Sequence, residues 1–155
     1  MNENEYLKLD NQICFALYVC SKEIIKKYRP LLEPLNLTYT SYIAMLSLWE
    51  KDGVTVKELG DTLFLDSGTL TPLLKKLEIT GYISRKRDTH DERNLRIYLT
   101  EKGKELKVRA EEIPGNLLCS IYTGNYCDSS EMIKLRDTLH KLMRKFLASE
   151  NSDKT

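Results

Sequence analysis

The 155-residue chain lacks any apolar run approaching the ~20 residues that a membrane span needs, and its opening residues, MNENEYLKLDN, lack the charged-then-apolar order of a secretory leader. A cytoplasmic location without a membrane partner is therefore expected. Its four cysteines, Cys14, Cys20, Cys119 and Cys127, include no CxxC pair, and only His90 and His140 offer imidazoles. That poverty argues against a structural zinc site or an iron–sulfur cluster, so no metal and no cofactor are expected. In a reducing compartment the thiols stay free, and any disulfide would act as a signal instead of a staple. Internal repeats and low-complexity linkers are also missing, which suits one domain over residues 1–155. Net charge is scarce too, only +1, so an electrostatic footprint for nucleic acid has to be local.

Such a footprint is present between Leu65 and Thr100. Leu70, Leu73, Leu74 and Leu77 recur at helical spacing and share one inward face. Gly68, Thr71, Pro72 and Lys75, with Thr69 and Lys76 at the edges, fall on the opposite side. Asp66 or Ser67 can cap this helix at its start, and Gly81 sits where a left-handed residue commonly ends one. Pro72 removes one backbone hydrogen bond beyond the first turn, and a slight kink or loosened turn is expected there. Ahead lies a helix from Thr55 to about Leu63, opened by Thr55 and Glu58 at capping-box spacing, with Val56, Leu59 and Leu63 inward. Helix, short turn and helix make a helix-turn-helix.

After Gly81 the period becomes two. Tyr82 to Arg87 pairs with a strand in which Leu95, Ile97 and Leu99 alternate with Arg96 and Tyr98. The loop from Asp88 to Asn94 is then the tip of a wing. From Lys75 to Arg87 the balance is +4, with Lys75, Lys76, Arg85, Lys86 and Arg87 against Glu78. A solvated surface hairpin would explain a lone RKR, but this run directly follows a helix-turn-helix. The reading is a DNA reader: Ser67, Thr69, Thr71 and Lys75 near bases or phosphates of the major groove, with Pro72, Lys76, Arg85, Lys86 and Arg87 as further DNA-binding candidates. Arg93, oriented by Asp91, is the candidate for the minor groove.

Elsewhere the chain reads as helical, giving a mainly α fold with a small β-hairpin wing. A first helix is expected from about Glu5 to Tyr28, stopped by Arg29-Pro30, and another from about Thr40 to Glu50. A long helix capped by Thr100 should break around Pro114-Gly115, and Asp128 and Glu131 should open a last helix striped by Leu135, Leu139, Leu142 and Phe146. The winged helix-turn-helix lobe would occupy about 37–100. Segments of about 5–35 and 101–149 carry more apolar surface than it needs, so they are expected to be dimerisation helices. A two-fold dimer sets two readers ~34 Å apart on a pseudo-palindromic double-stranded operator.

The first helix holds a second feature. Tyr18, Ser21, Ile25 and Tyr28 fall within about 40° of Cys14 on the helical wheel, presenting a thiol, a hydroxyl and two phenols together. Cys20 points about 120° away and lies ~9 Å along the axis, which rules out a Cys14–Cys20 disulfide inside an intact helix. Tyr28 is ~21 Å from Cys14 along the axis, so only an antiparallel partner helix brings the two together. Phenol donors favour a thiolate, the form that peroxides oxidise. A small buried hydrophobe is the other reading of Cys14 on pattern alone.

Four segments carry a family resemblance: LDNQICFALY at Leu9 to Tyr18, YRPLLEPLNLTY at Tyr28 to Tyr39, LDSGTLTPLLKKLE at Leu65 to Glu78, and RKRDTHDERNLRIYLT at Arg85 to Thr100. Over nearly its whole length the chain resembles the MarR family of winged-helix transcription regulators, and within it the organic-hydroperoxide-sensing repressors of the OhrR type. The last two segments are shared widely in that family; the first two are narrower. The resemblance implies that Cys14 is the oxidised cysteine, that Tyr28 and Tyr39 bond its sulfur from the partner subunit, and that Tyr18 lies in the same pocket. It implies a homodimeric repressor that releases its operator when an organic hydroperoxide oxidises Cys14. One-cysteine relatives finish as a small-thiol adduct, a sulfenamide or overoxidised acids; two-cysteine relatives close an intersubunit disulfide, for which Cys119 and Cys127 are candidates. Both routes stay open, as does the reading that Cys119 and Cys127 are merely free thiols.

Two other functions compete. One keeps the fold but answers to an aromatic or lipid-like ligand in the dimer cleft, with Cys14 not redox-active. The other is a thiol peroxidase, which the sequence disfavours: it has no resolving CxxC, places no arginine beside Cys14, and leaves the basic wing unexplained. The protein is not expected to be an enzyme.

Overall fold

The computed structural model describes residues 5–88, 95–122 and 129–152, which fall into two compact units, Met1–Gly115 and Asn116–Thr155. The first unit opens with a short 3-10 turn at Leu9–Asn11, followed by helix α1, Ile13–Leu32. The helix therefore starts eight residues later than the expected Glu5. Asn11 Nδ2 donates to the Glu5 carbonyl at 2.8 Å, Gln12 Nε2 donates to that of Lys8 at 3.3 Å, and Gln12 is extended, with φ −90°. Such local side-chain bonds offer the backbone an alternative to the helix. The far end runs past the expected stop, with Pro30 inside the last turn. Continuing to Leu32 costs one backbone bond but buries Leu32, and a 3-10 turn at Glu33–Leu35 then buries Leu35. Asn36, left-handed at φ 53°, turns the chain toward the next helix.

Helix α2, Tyr39–Glu50, is capped by Thr38 and supplies Tyr42, Ala44, Met45 and Leu48 to the core. A two-residue strand β1, Val54–Thr55, leads into α3, Val56–Leu63. The expected capping box is formed: the Glu58 N–H donates to Thr55 Oγ1 at 3.1 Å, and the Thr55 N–H donates to Glu58 Oε2 at 2.7 Å. Helix α4, Ser67–Ile79, runs through Pro72 and buries Leu70, Leu73, Leu74 and Leu77. It ends in a Schellman motif around Gly81 at φ 78°, with the Gly81 N–H on Glu78 O at 2.9 Å and the Tyr82 N–H on Leu77 O at 3.0 Å.

Strands β2, Ile83–Arg87, and β3, Leu95–Leu99, pair antiparallel from Ile83 opposite Leu99 to Arg87 opposite Leu95. The sheet has three strands in the order β1-β3-β2, one more than the expected hairpin, because Val54 and Thr55 pair with Ile97 and Arg96. Ile97 is fully buried, but Leu95 at the outer end of the wing is exposed, so the expected inward row holds only near the base.

Helix α5, Glu101–Ala110, is capped by Thr100, and α6, Glu112–Tyr122, follows after Glu111. The break thus comes before Pro114 instead of at it. Pro114 is the third residue of α6, where no intrahelical partner exists for the missing N–H. In the second unit, α7, Ser129–Ser152, leaves Leu135, Leu139 and Phe146 of the expected stripe exposed and Leu142 half-buried. Asp128 lies outside the described residues. No helix among the described residues is long and apolar enough to cross a membrane.

Candidate redox and DNA-binding sites

The reader helix α4 is begun by Asp66, whose Oδ1 accepts the Thr69 N–H at 2.7 Å. That bond holds the Asp66 carboxyl below its ordinary value, so the cap stays ionised at neutral pH. Ser67, Thr69, Thr71, Pro72, Lys75 and Lys76 are all solvent-exposed, opposite the buried leucines. They form one hydroxyl-and-cation face, as the helical wheel requires. Lys75 and Lys76 have no ion-pair partner among the described residues.

Arg85 is different. Its Nη2 lies 2.6 Å and its Nε 3.1 Å from Glu78 Oε2, while its own N–H donates to Glu78 Oε1 at 3.2 Å. The guanidinium is directed at the end of α4, so its charge is locally neutralised; among the described residues, Lys75, Lys76, Lys86 and Arg87 are the cations of this region without an ion-pair partner. Of the three basic residues of the RKR run, Arg85 is thus engaged within the chain, while Lys86 and Arg87 are exposed. Two guanidinium nitrogens converge on one oxygen of a carboxylate at the end of α4, and counting charges along a sequence assigns no partners. Lys86 lies 5.7 Å over the ring of Tyr98, and Arg87 is exposed. Asp91 and Arg93 lie outside the described residues.

The base of the wing is held by residues that the sequence reading did not single out. Arg96 Nε lies 2.5 Å from Asp88 Oδ2, and its Nη1 donates to the Gly53 carbonyl at 2.8 Å. Asp52 Oδ1 accepts the N–H groups of Gly53 at 2.8 Å and of Leu99 at 2.9 Å. Together these bonds tie the turn before β1 to both sides of the wing. The Asp52-Gly53 turn is a signal available in the sequence, but its partners are 43 and 47 positions away.

On α1, Cys14 and Tyr18 are exposed, and Tyr18 lies one turn on from the thiol. Tyr28, half-buried at the other end of the same helix, packs against α2: its ring centroid is 5.0 Å from that of Tyr39 and 5.7 Å from that of Tyr42. Burial, followed by the neighbouring Tyr39 and Tyr42 phenols, pushes the Tyr28 hydroxyl up to about 12. It remains a protonated donor throughout the neutral range. The fold therefore brings Tyr28 and Tyr39 together, while Cys14 of the same chain stays ~21 Å away along the helix. Tyr42, buried three residues after Tyr39, is the member of this cluster that the sequence reading missed; its spacing from Tyr39 on one helix face was the available signal. Tyr39 also lines a cavity of about 850 Å³ floored by Ile25, Leu32 and Leu37. Cys20 is exposed and free; Cys119 falls on α6 with its side chain outside the described residues, as is all of Cys127.

Comparison with known proteins places this geometry. Residues 26–109 match the family model described as transcriptional regulator SarA/Rot. An organic hydroperoxide resistance transcriptional regulator from Bacillus subtilis (strain 168) is 48% identical over 143 residues, covering 90% of this chain and 97% of that protein. The HTH-type transcriptional regulator SarZ of Staphylococcus saprophyticus is 47% identical over 137 residues, covering 88% and 91%. The solved structure of reduced AbfR bound to DNA superimposes with a TM-score of 0.75 at 31% identity, over 95% of this chain and 99% of that one. With its helix-turn-helix, its wing and these relatives, the chain belongs to the SarA/Rot family of transcriptional regulators and has the MarR-type winged-helix fold.

Proposed function

We propose that this regulator is a cytoplasmic homodimeric repressor that reads a pseudo-palindromic double-stranded operator through two copies of α4 and the wing, and releases it when an organic hydroperoxide oxidises Cys14. The observation that carries the reading is the division of one site over the two ends of α1. An exposed thiol stands at one end, and two phenols 5.0 Å apart stand at the other, a separation that an antiparallel partner helix closes. The hydroperoxide-resistance relative and the DNA-bound neighbour support both halves of it.

In the reduced dimer, Tyr28 and Tyr39 of one subunit donate to the Cys14 sulfur of the other, with Tyr18 alongside, and favour the thiolate. The sulfur attacks the terminal, hydrogen-bearing oxygen of ROOH, forming an S–O bond as the O–O bond breaks and its electron pair leaves on the alkoxide. The alkoxide takes a proton and leaves as ROH, and Cys14 becomes a sulfenic acid, oxidised by two electrons. A neutral sulfenic acid no longer holds the phenols as the thiolate did, and the change at α1 alters the spacing of the two readers. The sulfenic acid then passes to a small-thiol adduct or to an intersubunit disulfide with Cys119 or Cys127.

Replacing Cys14 with serine tests the switch. The variant should bind the operator like the parent and keep it after cumene hydroperoxide; release of the variant by peroxide refutes the thiol reading. Mass spectrometry of the oxidised parent separates the two fates, since a Cys14 crosslink and a small-thiol adduct differ in mass.

A further inference from the structure

Between the turn that ends α1 and the end of α4 lies a buried side chain, Tyr82, that is bonded to both. Tyr82 follows Gly81 at the end of α4 and immediately precedes β2, so it stands at the corner from which both the reader helix and the wing extend. Its phenol, in a residue only 4% exposed, donates to the Leu35 carbonyl at 2.8 Å. Leu35 lies three residues beyond the end of α1, in the 3-10 turn that continues from it, and is itself buried. The other atoms of Tyr82 are equally committed. Its N–H donates to Leu77 O of α4 at 3.0 Å, and its carbonyl accepts the Thr100 N–H at the start of α5 at 3.1 Å. Lys102 Nζ lies 5.0 Å over the ring and donates to the Thr80 carbonyl at 2.6 Å.

We propose that the Tyr82–Leu35 hydrogen bond is the link through which displacement of α1 is passed to the α4–β2 corner, making Tyr82 a positioning residue for the reader. This rests on the reading of Cys14 as the sensing thiol and adds how that signal leaves α1. The physical case is one of stiffness. A tyrosine ring packed on all sides has little freedom to absorb a shift of its acceptor, and close-packed interiors transmit small displacements instead of damping them. A buried carbonyl also keeps its one phenol donor, since the alternative is an unsatisfied group. When the α1 end moves, the corner moves with it or the bond breaks. Only while the bond holds do α4 and the wing change their aim with α1; once it is absent, the shift of α1 is no longer passed on.

The test uses Tyr82→Phe in the full-length dimer, which retains the ring and removes only the donor. Operator affinity is measured with reduced protein and again after cumene hydroperoxide, with the extent of Cys14 oxidation followed by mass spectrometry. The expected result is reduced-state affinity within about threefold of the parent, unchanged Cys14 oxidation, and an oxidation-driven loss of affinity smaller by about tenfold, a typical coupling factor. Full release of oxidised Tyr82→Phe overturns the proposal, and so does loss of operator binding by the reduced variant, which would make the bond a static support. Cys14→Ser, run alongside, separates the two claims: if it too is released by peroxide, the thiol reading has failed and this link falls with it. Should Tyr82→Phe not fold, hydrogen exchange on the parent decides. Oxidation should change the protection of the Leu37 and Tyr82 amides together, and an unchanged Tyr82 amide in released protein refutes the link.

Discussion

Gly103 is the position where a single added carbon tests the account of how the wing is held. It lies in the first turn of α5, and a Cβ built on it would stand 2.0 Å from the Tyr82 carbonyl oxygen and 3.0 Å from its carbon. Both neighbours are backbone, so neither can rotate away. Gly103→Ala must push α5 from the start of β2, and three hydrogen bonds hold the first turn of α5 in place around that junction. Trp49 Nε1 donates to Gly103 O at 2.9 Å, the Gly103 N–H to Thr100 Oγ1 at 3.1 Å, and the Thr100 N–H to Tyr82 O at 3.1 Å. Overpacking of this kind costs about 1–3 kcal/mol, and each bond lost or badly stretched adds about 1 kcal/mol. With two of the three compromised, destabilisation should reach about 3–5 kcal/mol, which is roughly 10 °C in Tm for a chain of this size. Gly115→Ala is the internal control, because nothing lies within 4 Å of a Cβ there; inside α6 it should stabilise by about 0.5–1 kcal/mol. Urea unfolding of both variants beside the parent measures the difference. If Gly103→Ala comes within about 0.5 kcal/mol of the parent, the close approach of α5 to Tyr82, and the reasoning built on it, is wrong.

Two further substitutions probe the reader. Thr55→Ala removes the hydroxyl half of the α3 capping box and should cost about 1 kcal/mol by urea unfolding, with no change in the slope of the transition. Glu78→Gln frees Arg85 from its carboxylate, so operator binding should tighten and log Kd against log salt should steepen by about one counterion; an unchanged slope would show that Arg85 cannot reach DNA even when released. The same variant has a pH signature. Hydrogen bonding to Arg85 holds the Glu78 carboxyl below its ordinary value, so its contribution to stability is complete above the usual carboxylate range and is lost as pH falls through the lowered value. Urea midpoints taken from about pH 6 down to about pH 3 should fall more steeply for the parent than for Glu78→Gln.

What could be read from the sequence and what could not divides by the distance over which the deciding contact is made. The Thr55–Glu58 box, the four leucines of α4 and the left-handed Gly81 were legible because each is completed within a few residues of itself, so local chemistry and periodicity decide them. Pro30 was misread because the burial of Leu32 and Leu35 against distant elements outweighs a local preference. β1 was missed because two residues have no period to read, and Val54 is a strand only by pairing with Ile97. The Arg85–Glu78 pair was not legible for the same reason, its carboxylate being supplied by another element. The candidate sensing site is the extreme of this series. Its two halves were legible as residue types, Cys14 and the tyrosines, yet among the described residues Cys14 and Tyr28 stand at opposite ends of α1. A site so divided cannot form in the unassembled chain, so on this reading sensing requires the dimer. On the proposed function, the phenols that support the thiolate are also those whose loss would report its oxidation to the partner.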